Sequence, residues 1–327
     1  MNAQPIVGLV GHGVTGSRVA GHLLERNLRV AVYDPVPCPP RPGLVRVDSA
    51  ADLTTCDAVV LCTPRPQLAT AERFLRGRVP VVAVADDLDD LVGLVRLQSV
   101  AVEHGVPLVV GAGMAPGLSG LLARYVADQV HTVEELHVAI HGTAGPACAH
   151  QHHRALGDTA LGWHDGEWTE PPGGSGRELV WFPEPIGAHD CYRAAVGDPM
   201  LLRRAFPQAL RVSARVSATR RDRLTARLPM LTPPHPAGDL GAVRVEARGA
   251  GPDGERVTVI AGAAGPTGNL AGAVAAACAL ALVHDTIEPG VHSTACAHLA
   301  ELGLLHDVTT MGVKVQEFTG VARATSW

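Results

Sequence analysis

The N-terminal third of the chain repeats one pattern, a short unbroken apolar run followed by a longer amphipathic stretch. Ile6-Val7-Gly8-Leu9-Val10 reads as a strand, residues 17–26 as a helix, and residues 28–33 as a second strand ending at Asp34. A proline-rich loop at 35–42 and a short helix at 50–54 precede the apolar run 57–62. Thr63-Pro64-Arg65-Pro66 and a helix through Arg76 follow. Residues 79–85 predict a fourth strand ending at Asp86-Asp87, residues 88–104 a helix, and residues 107–110 a fifth strand. Unbroken apolar runs of this length are those of strands buried on both faces. Their alternation with helices predicts a doubly wound parallel sheet. Such sheets take ligands beyond the carboxyl ends of their strands, so residues 11–16, Asp34, 63–65, 86–87 and 111–116 should face one crevice.

From about Val133 the period changes. Residues 134–141 and 212–219 alternate as half-exposed strands do, and a glycine-proline loop with a helix follows the first of them. Residues 242–248 and 256–261 flank Gly251-Pro252-Asp253-Gly254 and predict a hairpin. The apolar run 270–283 is too short to span a bilayer and reads as a buried helix. The expected class is therefore α/β, an N-terminal Rossmann sheet plus a second α+β domain with a mostly antiparallel sheet. The expected division is a dinucleotide-binding domain at 1–130, a substrate and dimerisation domain at 131–269, and a helical segment at 270–327 packing back on the first.

Composition narrows the function. Of 327 residues, 46% are hydrophobic and 18% charged, with net charge −5, so neither disorder nor a basic nucleic-acid or membrane surface is indicated. Aromatics at 3% leave few platforms for stacking bases. The seven cysteines include no C-x-x-C pair, which points to reduced thiols. The N-terminus has no basic region and runs into the first strand, so a cytoplasmic protein is expected. A homodimer is expected on the general frequency of symmetric dimers.

The sharpest motif is Gly11-His12-Gly13-Val14-Thr15-Gly16, a G-x-G-x-x-G in its required place between strand and helix. Gly11 permits the tight turn, Gly13 lets a pyrophosphate approach the backbone, and Gly16 allows close helix–strand packing. Asp34, at the end of the second strand, suits the hydroxyls of an adenosine ribose, which favours NAD over NADP. Arg41 and Arg65 keep NADP open.

A second glycine run, Gly111-Ala112-Gly113-Met114-Ala115-Pro116-Gly117-Leu118-Ser119, follows the fifth strand. Its G-x-x-P-G-L-S resembles that of saccharopine dehydrogenase-like oxidoreductases, and the likeness continues through residues 181–187 and the hairpin with its apolar helix. The resemblance implies an NAD(P)-dependent enzyme acting on a carbon–nitrogen bond of an amino acid, imine or opine. It places Gly113, Ala115, Pro116 and Gly117 at the domain junction, near the nicotinamide. The chain is shorter than true saccharopine reductases, so saccharopine itself is not carried over.

Asp86 and Asp87 stand where they can polarise a substrate amine or cap the next helix. His141, ending a strand before a glycine loop, is a candidate proton carrier. Cys148, His150, His152 and His153 suggest a metal, but only Cys148 and His152 share a helical face and no fourth ligand completes the set, so none is expected. Arg154, Arg220, Arg221 and Arg223 are candidates to clamp a substrate carboxylate. Two rival functions remain. One is a dehydrogenase acting on a carbon–oxygen bond, disfavoured because its usual loop lysine is missing and Lys314 is the one lysine. The other is a non-catalytic NAD-binding sensor or scaffold.

Overall fold

The computed structural model describes residues 4–284 and 286–318. The chain opens with β1 (Ile6–Val10), α1 (Val14–Glu25), β2 (Arg29–Tyr33) and β3 (Leu44–Arg46). It continues through β4 (Ala58–Leu61), α2 (Leu68–Arg76), β5 (Val81–Ala83), α3 (Leu88–Val95), α4 (Gln98–His104) and β6 (Pro107–Val110). α5 (Leu118–Ala127) leads to β7 (Thr132–His141), α6 (Pro146–Ala155), and the small hairpin of β8 (Gly162–His164) and β9 (Glu167–Thr169). Then come β10 (Glu178–Phe182), β11 (Gly187–Arg193), α7 (Asp198–Ala205), β12 (Arg211–Ser217) and α8 (Arg220–Thr225). The hairpin of β13 (Leu240–Ala250) and β14 (Arg256–Pro266) precedes α9 (Thr267–Val283), β15 (Gly290–Ser293), α10 (Ala297–Glu301), α11 (Leu304–Thr310) and β16 (Val315–Glu317).

The first sheet has seven parallel strands in the order β15-β6-β5-β4-β1-β2-β3. β4, β5 and β6 are buried along their whole length, which is why they read as unbroken apolar runs. The order changes direction between β1 and β4, and the crevice above that switch point is where the ligand of such a sheet sits.

The second sheet runs β10-β11-β12-β7-β13-β14-β16, antiparallel except between β12 and β7. Alternation along β7 sends Leu136, Val138 and Ile140 to one face, where they join Leu118 and Leu122 of α5 and Val274 of α9 in one hydrophobic core. Each such fully buried aliphatic side chain contributes roughly 1.5–3 kcal/mol. α9 is apolar on every face because it is buried on nearly every face. Its Gly268 and Gly272 lie against Val14 and Arg18 of α1, where a Cβ would overlap their side chains.

Three differences from the sequence reading have plain causes. α1 begins at Val14, with Gly13 as its N-cap, so the glycine turn is shorter than expected. The helix expected over 88–104 is broken at Arg96-Leu97, and Gln98, opening α4, accepts the amide of Val291 at 2.8 Å. Residues 270–327, expected as helical, also supply β15 to the first sheet and β16 to the second. Strands of four and three residues carry too few positions for a period to show. Among the described residues no helix is long and apolar enough to cross a membrane.

Candidate active site

The turn after β1 is shaped by its glycines. Gly11 has φ +96°, and a Cβ on Gly16 would overlap the carbonyl oxygen of Gly11. Gly13 differs, because a Cβ there would touch nothing: the space above it belongs to a cavity. The first amides of α1 have no intrahelical partner, and no acidic residue sits in its first turn to repel an anion. Asp34 is fixed by two backbone amides, Oδ2 accepting from His12 at 2.6 Å and Oδ1 from Val36 at 2.7 Å. Arg46, which sequence reasoning did not single out, donates to the Asp34 carbonyl oxygen at 3.2 Å.

The cavity measures about 480 Å³. Gly11, Gly13, Val14, Thr15 and Asp34 line one end, Thr63, Pro64 and Arg65 one wall, and Gly113, Ala115 and Pro116 the floor. His12 and Gly16, also predicted for the cofactor, do not line it. Gly16 lies beneath the turn. The half-buried ring of His12 leaves Nε2 without a partner among the described residues, and burial lowers its pKa. What His12 gives the site is its amide, held on Asp34. The groups present therefore fit a dinucleotide: an open backbone cradle for phosphate, a helix N-terminus, and a carboxylate at ribose distance in the chain.

The floor is rigid. Gly117 has φ +139°, and a Cβ there would overlap the backbone of Gly113, while the Gly113 amide donates to the Pro116 carbonyl at 2.9 Å. Ser119 Oγ donates to Oδ1 of buried Asp198 in α7. Burial pushes the Asp198 carboxyl up to about 6. Thr294, after β15, donates to the Gly117 carbonyl at 2.7 Å. The G-x-x-P-G-L-S run is thus pinned from both sides.

Part of the cavity lining is polar, supplied by the loop after β5 and by α6. Asp86 lines it beside Cys148, Gln151, His152 and Arg154. His152 Nε2 lies 4.0 Å from Asp86 Oδ2. Burial raises the pKa of Asp86 and lowers that of His152, so both groups are pushed toward their neutral forms. The Cys148 thiol is held well above its ordinary range, again chiefly by burial. Asp87 is absent from the lining: it caps α3, accepting from the Asp90 amide at 3.1 Å. It also accepts from Arg65 at 2.8 Å and from Gln151 at 2.5 Å. Arg65 is thereby drawn toward Asp87. Arg154 donates to the side-chain amide oxygen Oε1 of Gln151 and, among the described residues, has no carboxylate partner. Of the four arginines proposed for a substrate carboxylate, Arg154 alone lines the cavity.

His141 does not reach the crevice. Alternation along β7 puts it on the face of His137 and Ala139, opposite Leu136, Val138 and Ile140. There its ring lies 4.2 Å from that of His189 and 5.6 Å from that of Phe182, with Nδ1 2.8 Å from Ser217 Oγ. Burial and His189 lower its pKa to about 4. The expectation that it faces substrate is corrected by strand parity: the loop after β7 lines the cavity, the strand does not. Cys148, Gln151 and His152 line the cavity although sequence reasoning gave them no role in it. The i,i+4 pairing of Cys148 with His152 was the available signal, without the third group, Asp86, that gives it meaning.

No protein-family model matches the chain, and no curated protein sequence matches it. Solved structures do share its fold. Apo saccharopine dehydrogenase (L-Glu forming) from Saccharomyces cerevisiae is similar at a TM-score of 0.71, with 15% identity over 97% of this chain and 100% of that one. A meso-dapdh mutant with DAP from Clostridium tetani gives 0.53, with 13% identity over 89% and 93% of the two chains. An amine dehydrogenase from Mycobacterium smegmatis gives 0.50, also at 13% identity, over 89% and 95%. The chain has a saccharopine dehydrogenase-like fold.

Proposed function

We propose that this chain is an NAD(P)-dependent oxidoreductase acting on a carbon–nitrogen bond of a carboxylate-bearing substrate, an amino acid, imine or opine. The observation that carries the reading is one cavity lined by two chemically different sets of residues. The glycine cradle and Asp34 form part of its lining, and Asp86, Cys148, His152 and Arg154, which has no carboxylate partner among the described residues, form another. The dinucleotide, when bound, supplies the hydride acceptor or donor. Gly13 and the first turn of α1 hold its phosphates, and Asp34 holds a ribose and disfavours a 2′-phosphate, so NAD is the expected partner.

The chain's own side chains do the rest. Arg154 presents a planar fork suited to a substrate carboxylate. That fixes the substrate's carbon–nitrogen bond over the floor at Gly113–Pro116. Asp86, its pKa raised by burial, is suited to exchange a proton with the substrate nitrogen. Neutral His152 offers a second hydrogen-bonding group beside it.

The test is turnover followed by nicotinamide absorbance. Amino acids and opines are offered with NAD, 2-oxo acids plus amines with NADH, and sugars and polyols as the contrasting panel. Turnover confined to the nitrogen-bearing panel supports the reading. Turnover confined to sugars and polyols overturns it.

A further inference from the structure

The polar part of the cavity lining contains a donor set that hydride transfer alone does not require. Cys148 and His152 lie four residues apart on α6, so their side chains leave the helix on one face. That face meets Asp86, in the loop beyond the end of β5 at Ala83. One donor atom from each of the three residues lies within 4.8 Å of the other two. Among the described residues neither ring nitrogen of His152 is engaged in a hydrogen bond, and Asp86 has no ion pair with an arginine or lysine. The trio borders the cavity, so it faces whatever the cavity holds.

We propose that Asp86, Cys148 and His152 form a three-ligand site for a divalent transition metal, zinc foremost, with its fourth position open to the cavity. The inference deepens the oxidoreductase reading and rests on it for the metal's purpose, which is to hold the substrate; with the ion bound, Asp86 serves as its ligand in place of exchanging a proton with the substrate nitrogen.

The donor chemistry selects the ion. A thiolate and an imidazole favour zinc and its first-row neighbours, whereas magnesium and calcium want oxygen alone. Three protein ligands with one vacant position distinguish a catalytic zinc site from a four-ligand structural one. Bonds of roughly 2.0–2.3 Å set the ligand atoms of a tetrahedral site roughly 3.3–3.8 Å apart. His152 and Asp86, at 4.0 Å, are already close to that separation. A dication compensates the charges of the thiolate and carboxylate that bind it, and its binding releases the thiol proton. Arg154 lines the same cavity as the three ligands. An amino acid or imino acid could then bind the metal through nitrogen while Arg154 takes its carboxylate. That pairing favours substrates with nitrogen and carboxylate on neighbouring atoms.

Cobalt(II) is the probe, titrated into the full chain after chelator treatment and read by absorption spectroscopy. The native chain should bind one equivalent, with a near-ultraviolet thiolate-to-cobalt charge-transfer band and the visible bands of tetrahedral cobalt. Cys148→Ser should lose the charge-transfer band, and His152→Gln should weaken cobalt binding by at least about 100-fold. No charge-transfer band in the native chain overturns the proposal, and so does a band that survives in Cys148→Ser. Should one variant fail to fold, the native spectrum and the other variant still decide. NADH titration of the same samples separates the two readings. Cofactor binding without cobalt binding removes the metal alone, and cobalt binding without cofactor binding removes the oxidoreductase.

Discussion

The backbone amide of His12 donates to Oδ2 of Asp34 at 2.6 Å, so the glycine turn after β1 and the end of β2 are held as one unit. The carboxylate is therefore aimed by the same backbone that cradles phosphate. Asp34→Ala should weaken NADH binding roughly 10- to 100-fold, the usual effect of losing hydrogen bonds to a charged group. It should weaken NADPH binding less, because a repulsive charge leaves with the side chain. Calorimetric titration with both cofactors measures this, and an equal loss for the two would contradict the assignment of Asp34 to the ribose.

Arg154 borders the cavity with no carboxylate partner among the described residues. Arg154→Gln should lower kcat/KM for carboxylate-bearing substrates by about 10- to 100-fold, mostly through KM. NADH affinity should stay the same, since among the described residues Arg154 makes no hydrogen bond to the glycine turn or Asp34. Steady-state kinetics beside a cofactor titration separates the two effects.

Asp198 is buried against Ser119, with Oδ2 unpaired among the described residues and its pKa raised to about 6. Its folded value lies above the unfolded one, so the stability it contributes is complete below about pH 4. That stability is lost as pH rises through about 6. A shift of this size corresponds to about 3 kcal/mol. Asp198→Asn keeps an acceptor for Ser119 and cannot ionise. Its stability relative to the native chain should rise across that window, by denaturant unfolding, and then level off. A difference that does not change with pH would show that Asp198 has the same pKa in the folded and unfolded chains.

Much of the fold is legible in the residues themselves. β4 and β6 show as unbroken apolar runs because both faces are covered, and β7 as an alternating one because its two faces differ. The glycine turn is legible because its geometry tolerates few alternatives, as Gly16 against the Gly11 carbonyl demonstrates. What the residues conceal is which side of a strand faces the crevice. His141 ends a strand before a cavity-lining loop, yet parity turns it toward His189. Asp87 and Asp86 are adjacent and chemically alike, and only the packing of α6 sends one to a helix cap and the other to the cavity. The strands β15 and β16 are set by the partners they reach, not by local pattern.

The central claim is that the cradle above Gly13 holds a dinucleotide. A Cβ at Gly13 meets no protein atom, so Gly13→Val should fold as the native chain does, with an unchanged melting temperature. The added methyl groups would fill the space through which a pyrophosphate approaches the backbone. Calorimetric titration of NADH into both proteins is the most direct measurement. The prediction is binding by the native chain and a loss of at least about 100-fold in the variant. Equal affinity in the two proteins, or a folded native chain that binds neither NADH nor NADPH, would contradict it.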